Sequence, residues 1–352
     1  MKRYCIDGRF LSSMTTGVDR YAYQILRELD KIATGMDISI LVPSNAKIIP
    51  EYKNITVIKS KRSRFWTQVV FASFTRIHGM IPINLCNEVS VGAKKGIVAI
   101  HDVFYAEDPD KYPQIKEYPK GEVEWFKKIY RRAAKHADKI ITVSEFSKSR
   151  IVELLGVAAD RIIVIGNGWQ HFEEVQVKEL ACEYSEKQQN KLFQSLQDKS
   201  YYFTMASANK NKNVRWVFEC AKHNAESVFV VAGGGLQSLV DEMNCGNVIY
   251  VGYVSDELAK TLMKHCKAFI FPSYYEGFGI PPMEALSTGC KIVISDRASL
   301  PEIFSDAAYY INPDNADVDI DKLLEQNVAD RKKVLETYSW KRSAFQLKQL
   351  LI

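Results

Sequence analysis

Short apolar runs alternate with longer stretches of helical periodicity along almost the whole chain, and this alternation restricts the fold more than any other feature. The runs occupy residues 38–42, 96–100, 139–143 and 162–165 in the first half, and 202–205, 228–232, 248–251, 268–271 and 292–294 in the second. Mostly apolar runs of three to five residues suit a strand covered on both faces. Strands joined through helices run parallel, because the helix carries the chain back to its starting end. The expectation is an α/β protein built from βαβ units. Helix punctuation agrees: Ser144 is placed to cap a helix that Gly156 stops, and Pro281-Pro282 open one that ends at Gly289.

A length of 352 residues predicts two domains. Residues 173–199, rich in Glu, Lys and Gln, read as an exposed helix or linker, which puts the boundary near residue 170. Domains are expected over 1–170 and 171–337, the second including the linker. Seven widely spaced cysteines without a Cys-x-x-Cys pair read as reduced, mostly buried thiols. The first residues, MKRYCIDGRF, lack the apolar run of a signal peptide, and no stretch reaches the roughly 18 apolar residues of a membrane span. The expected location is the cytoplasm. Residues 1–170 hold 27 Lys/Arg against 18 Asp/Glu, whereas residues 171–352 hold 20 against 24. The basic half is the one suited to an anionic partner. No helix-turn-helix, zinc-finger or RNP-type signature accompanies that charge, so nucleic acid is not expected.

The densest constellation is Pro272-Ser273-Tyr274-Tyr275-Glu276-Gly277-Phe278-Gly279-Ile280-Pro281-Pro282-Met283-Glu284-Ala285. It reads as a strand end, a glycine-rich loop and the first turn of a helix. In an open parallel sheet such a loop lies where ligands bind. Glycines let backbone N–H groups approach a phosphate, and the new helix N-terminus adds positive partial charge. Carboxylates there suit hydroxyl groups rather than phosphate. Alone, Glu284 is explained by the helix dipole and Glu276 by an ordinary loop. Together they point to a ligand that is both phosphorylated and rich in diols, such as a nucleotide sugar.

On these residues the chain resembles glycosyltransferase family 4, whose signature has two glutamates separated by seven residues. Val248-Ile249-Tyr250-Val251-Gly252-Tyr253-Val254-Ser255, Ser295-Asp296-Arg297-Ala298-Ser299-Leu300-Pro301-Glu302 and Tyr338-Ser339-Trp340 are similar to other motifs of that family. So are Gly8-Arg9-Phe10-Leu11 with Thr16-Gly17-Val18-Asp19-Arg20-Tyr21, the His101-Asp102 step, and the stretch from Ala137 to Lys148 with Asn167-Gly168. The resemblance implies a GT-B fold, two Rossmann-like domains with parallel sheets facing across a cleft, and a terminal helix over 338–352 returning toward the first domain. It implies retaining transfer of a hexose from a nucleotide-sugar donor to a glycan or lipid-linked acceptor. Bacterial surface-polysaccharide enzymes, including mannosyltransferases using a GDP-sugar, are the group most resembled. Lys212 with the amides of Gly277, Phe278 and Gly279 and the helix start at Ile280 would take the pyrophosphate. Glu284 would take the ribose, Glu276 the transferred sugar, and Gly17 would lie near donor phosphate or acceptor. His101 would orient the sugar from the opposite domain. The family's usual arginine is absent from Ala206-Ser207-Ala208-Asn209-Lys210-Asn211-Lys212-Asn213; Lys212-Asn213 match its Lys-Asn pair, and Lys210 is the candidate to supply the missing charge.

Gly233-Gly234-Gly235 fails the dinucleotide spacing, because Ser238 stands where a third glycine is required, so a nicotinamide cofactor is not expected. Asp317-x-Asp319-x-Asp321 reads as a solvated helix start, and neither metal nor cofactor is expected. The basic stretches Lys59-Ser60-Lys61-Arg62-Ser63-Arg64-Phe65-Trp66 and Phe126-Lys127-Lys128-Ile129-Tyr130-Arg131-Arg132 fit peripheral contact with an anionic membrane at its cytoplasmic face. Two other readings remain on the sequence: a nucleotide-sugar epimerase on the same fold, and a non-catalytic carbohydrate-binding subunit.

Overall fold

The computed structural model describes all residues except 1, 13–15, 47, 62, 91–94, 178–195 and 197–199. Most of the expected linker, and Cys182 within it, lies outside the described residues. The chain divides into two compact units, Met1–Gly168 with Tyr338–Ile352, and Trp169–Thr337.

The first unit holds seven strands: β1 (Arg3–Asp7), β2 (Asp37–Pro43), β3 (Ile55–Ser60), β4 (Ile81–Asn84), β5 (Ile97–Ala99), β6 (Lys139–Thr142) and β7 (Ile162–Val164), in the order β3-β2-β1-β4-β5-β6-β7. Every pairing is parallel. Three of these strands were not expected, for separate reasons. In β1 the buried Tyr4, Cys5 and Ile6 are bracketed by Arg3 and Asp7. β3 is an edge strand with two exposed positions. β4 contains Pro82, which as a residue without an N–H argues for an edge. Yet β4 lies between β1 and β5, and its pairing with β5 begins at Ile83, one residue beyond the proline.

Helix Gly17–Ile32 starts at a capping box: Thr16 Oγ1 accepts from Asp19 N and Asp19 Oδ2 from Thr16 N, both at 3.2 Å. Helix Glu145–Leu155 is capped by Ser144 and stopped by Gly156 in the left-handed conformation. The last helix, Trp340–Leu351, belongs to this unit: Ser343 Oγ donates to Gly166 O at 2.6 Å, Tyr4 Oη to Leu351 O at 2.8 Å and Lys348 Nζ to Ile32 O at 2.6 Å.

A buried polar cluster closes the carboxyl end of β1. Asp7 accepts from Trp66 Nε1 and Thr67 Oγ1 at 2.7 Å each, and from Asn84 Nδ2 and Arg9 N at 3.0 Å. Burial pushes the Asp7 carboxyl up, against the Arg9 guanidinium and its hydrogen-bond donors. Trp66 is therefore a core residue of this unit, not part of a membrane-facing run as its basic neighbours suggested.

The second unit holds β8 (Tyr201–Met205), β9 (Val228–Ala232), β10 (Val248–Gly252), β11 (Ala268–Phe271), β12 (Ile292–Ser295) and β13 (Tyr309–Ile311), ordered β10-β9-β8-β11-β12-β13 and again all parallel. β13 was not expected; it is three residues long, with Tyr310 half-buried at the sheet edge. Trp216, Phe218, Phe229 and Ile270 belong to a buried apolar cluster of this unit. No described helix is long and apolar enough to cross a membrane.

Candidate functional site

In the second unit the sheet is wound outward from β8 and β11, which are neighbours although nonconsecutive. At such a switch point the loops leaving adjacent strand ends diverge and open a crevice for a ligand. The loop after β8 carries Lys210, Lys212 and Asn213, and the loop after β11 carries Glu276, Gly277, Phe278 and Gly279, followed by helix Ile280–Ser287. Two segments far apart in sequence are thus brought together.

The two loops are laced by hydrogen bonds. Tyr274 N donates to Asn211 O at 2.8 Å, and Asn211 Nδ2 donates to Tyr275 O at 3.0 Å. Asn213, at a left-handed φ of 53°, donates through Nδ2 to Pro272 O at 3.2 Å and Pro313 O at 2.9 Å. Asn213 therefore holds the loops by its side chain, and Asn211 does the same. Lys210 stands exposed on the turn Lys210–Lys212.

Across this lacing Lys212 Nζ contacts both carboxylate oxygens of Glu276, at 2.8 and 2.9 Å. The expectation gave these residues to different parts of a ligand; the structure joins them directly. Charge-assisted bonds of this kind are about twice as strong as neutral ones. Ser299 Oγ donates to Glu276 O at 2.9 Å and pins the backbone beneath the carboxylate. Gly279 precedes the helix at φ 94°, and a Cβ there would lie 2.7 Å from Leu300 Cδ2. Gly233 has a similar steric reason: its Cβ would come within 1.7 Å of Ala206 O, at the root of the β8 loop.

Glu284 differs from its expected placing. The helix begins at Ile280, so Glu284 is its fifth residue and lies beyond the first turn, where the helix dipole favours anions most. It is buried, and its Oε1 lies 2.8 Å from His171 Nε2. His171 was missed on the sequence. Its partner is 113 positions away, and a histidine in a short turn carries no local sign of it.

In the first unit, Gly17 is the first residue of its helix, just after the capping Thr16. His101 follows β5, is buried, and meets the Tyr21 ring edge-on at 4.7 Å. Its Nε2 lies 2.9 Å from Leu85 O, which requires the proton on Nε2 and leaves Nδ1 as acceptor. Burial lowers its pKa to about 4, so the imidazole is neutral at physiological pH.

The aspartates of the late acidic segment have structural partners: Asp319 caps helix Ile320–Leu323, and Asp321 accepts from Tyr202 Oη and Lys267 Nζ, each at 2.6 Å. Among the described residues no group of three or more His, Cys, Asp or Glu converges as metal ligands do.

Known proteins align with both units. The family described as "Glycosyl transferases group 1" matches residues 161–339, and "Glycosyltransferase Family 4" matches residues 15–170. O-antigen chain mannosyltransferase B of Escherichia coli is 26% identical over 243 residues, 64% of this chain and 59% of that protein. O-antigen chain mannosyltransferase RfbU of Salmonella typhimurium is 25% identical over 226 residues, 62% of this chain and 57% of that protein. The chain thus spans less than two thirds of these relatives' length. Among solved structures, sucrose-phosphate synthase from Thermosynechococcus elongatus has a TM-score of 0.71 at 14% identity, covering 100% of this chain and 98% of its own. WaaG, a glycosyltransferase involved in lipopolysaccharide biosynthesis, has a TM-score of 0.63 at 13% identity, covering 99% and 95%. The fold is that of these GT-B proteins, with two Rossmann-like parallel-sheet domains.

Proposed function

This chain belongs to glycosyltransferase family 4, and on that premise we propose that it transfers a hexose, with retention, from a nucleotide sugar to a glycan or lipid-linked saccharide of a surface polysaccharide. The observation that carries this reading is the Lys212–Glu276 pair, which puts a cation and a hydroxyl acceptor side by side at the switch point of the second unit. Mannose carried on GDP is the first candidate donor, because the O-antigen relatives are mannosyltransferases.

Cleaving a glycosyl phosphate leaves negative charge on the diphosphate and positive character on the sugar, and rate is gained by stabilising that separation more than the ground state. Lys212, with Lys210 nearby, would meet the diphosphate together with the amides after Glu276 and the helix start at Ile280. Glu276 would hold hydroxyls of the transferred sugar, and Glu284 those of the ribose. No side-chain nucleophile is needed if the acceptor hydroxyl attacks on the face the diphosphate leaves and passes its proton to a diphosphate oxygen. His101, neutral and fixed through Nε2, suits orientation rather than proton donation at neutral pH; Gly17 would lie near donor phosphate or acceptor.

The test is a donor panel read by nucleotide release, with acceptor and with EDTA in excess. Release from one hexose donor that survives EDTA is expected, because fixed cations and amides take the place of a metal. Activity lost to EDTA and restored by Mg²⁺ or Mn²⁺ overturns the metal-free assignment. An epimerised donor without acceptor, or tight binding without turnover, overturns transfer itself.

Contact with an anionic membrane belongs to the same proposal. Phe65 and Val69 are exposed beside Gln68, which accepts from Arg132 Nη2 at 3.2 Å, and helix Lys120–His136 also exposes Trp125. The protein is expected to float with phosphatidylglycerol vesicles and to detach as salt is raised. Equal partitioning to neutral vesicles would remove this part of the reading.

A further inference from the structure

The carboxylate of Glu284 is gripped from outside its own motif. Its partner, His171, sits on the turn Gln170–Phe172 near the start of the second unit, and both side chains are almost wholly buried. That turn is anchored on both sides of the histidine. Trp169 Nε1 donates to Leu335 O at 2.9 Å, and Phe172 O and Val175 O accept from Lys260 Nζ at 2.6 and 2.7 Å. The Phe172 side chain is itself in the core. The turn that carries the imidazole is thus anchored beside it, and the histidine meets a carboxylate on a helix that begins more than 100 positions later.

We propose that His171 is a positioning residue of the donor site, fixing one oxygen of Glu284 so that the carboxylate meets the ribose hydroxyls of a nucleoside diphosphate in a set orientation. The inference rests on the assignment of Glu284 to the ribose. A glutamate has three side-chain torsions, and arresting them only when a ligand arrives subtracts from affinity. A buried partner arrests them beforehand. Buried carboxylates also need donors, and removing this one leaves Glu284 short of a hydrogen bond in a place with little water.

The test measures binding to the full chain of guanosine, uridine and adenosine diphosphates, and of the 2′,3′-dideoxy form of whichever binds best. The variants are His171→Leu, His171→Gln, Glu284→Gln and the double variant His171→Leu/Glu284→Gln. His171→Leu should weaken the ribonucleotide about tenfold, the scale of one hydrogen bond to a charged group, and leave the dideoxy nucleotide unchanged. His171→Gln, whose amide N–H can replace Nε2–H, should retain most of the affinity. The double variant should bind no more weakly than Glu284→Gln, because the histidine acts through the glutamate. A histidine that only supports the fold would weaken both nucleotides alike, and that result, or an unaffected His171→Leu, overturns the inference while leaving the ribose assignment standing. If the wild type does not distinguish ribonucleotide from dideoxynucleotide, the ribose assignment falls, and the role of His171 falls with it.

Discussion

Glu276→Gln is expected to lower kcat by roughly ten- to a hundredfold in a protein that folds normally, the loss corresponding to a charge-assisted contact that strengthens in the transition state. The carboxylate is bound through both oxygens to Lys212, and its backbone is pinned by Ser299. The substitution therefore removes a charge from a fixed place without releasing the loop, which Asn211 and Asn213 also hold. Because Lys212 and Glu276 touch, Lys212→Met combined with Glu276→Gln should cost less than the sum of the single changes. On the proposed ribose role, Glu284→Gln should act differently, chiefly raising the donor KM, because that sugar is remote from the breaking bond. Steady-state kinetics on variants with unchanged thermal unfolding decide the matter. Wild-type kcat and donor KM in both glutamate variants would place the active site elsewhere.

Asp7→Ala should destabilise the first unit by about 3 kcal/mol or more, equivalent to roughly 6–12 °C in Tm for a domain of this size. The carboxylate accepts four hydrogen bonds, and its removal leaves the indole N–H of Trp66, the Thr67 hydroxyl and the Asn84 amide without that acceptor in a buried place. This cluster ties the ends of β1 and β4 to the segment Trp66–Phe71, so the loss should be cooperative within the unit. Calorimetric unfolding of the variant checks it, and a melting profile like that of the wild type would show that the cluster is not a keystone of the unit.

The core strands of both sheets were legible because a parallel strand covered on two faces must be apolar at nearly every position, and 139–143 or 228–232 can hardly be anything else. The carboxylates of the candidate site were legible for a related reason: a strand end, a glycine loop and a helix start compress Glu276 and Glu284 into fourteen consecutive residues. Helix boundaries such as Ser144 and Gly156 were legible too, since a cap is satisfied within a few residues. What depends on partners distant in the chain was not. Pro82 argues locally against a central strand, yet the pairing has β5 joining just after it. Trp66 looked like part of a basic surface run until Asp7, 59 positions away, took its indole N–H. The contact between Lys212 and Glu276 arises because β8 and β11 are neighbours in a sheet whose order the sequence does not state. The histidine on Glu284 has no local pattern at all. Periodicity and caps are local physics and can be read along the chain, whereas a buried polar group takes whichever partner the fold brings to it.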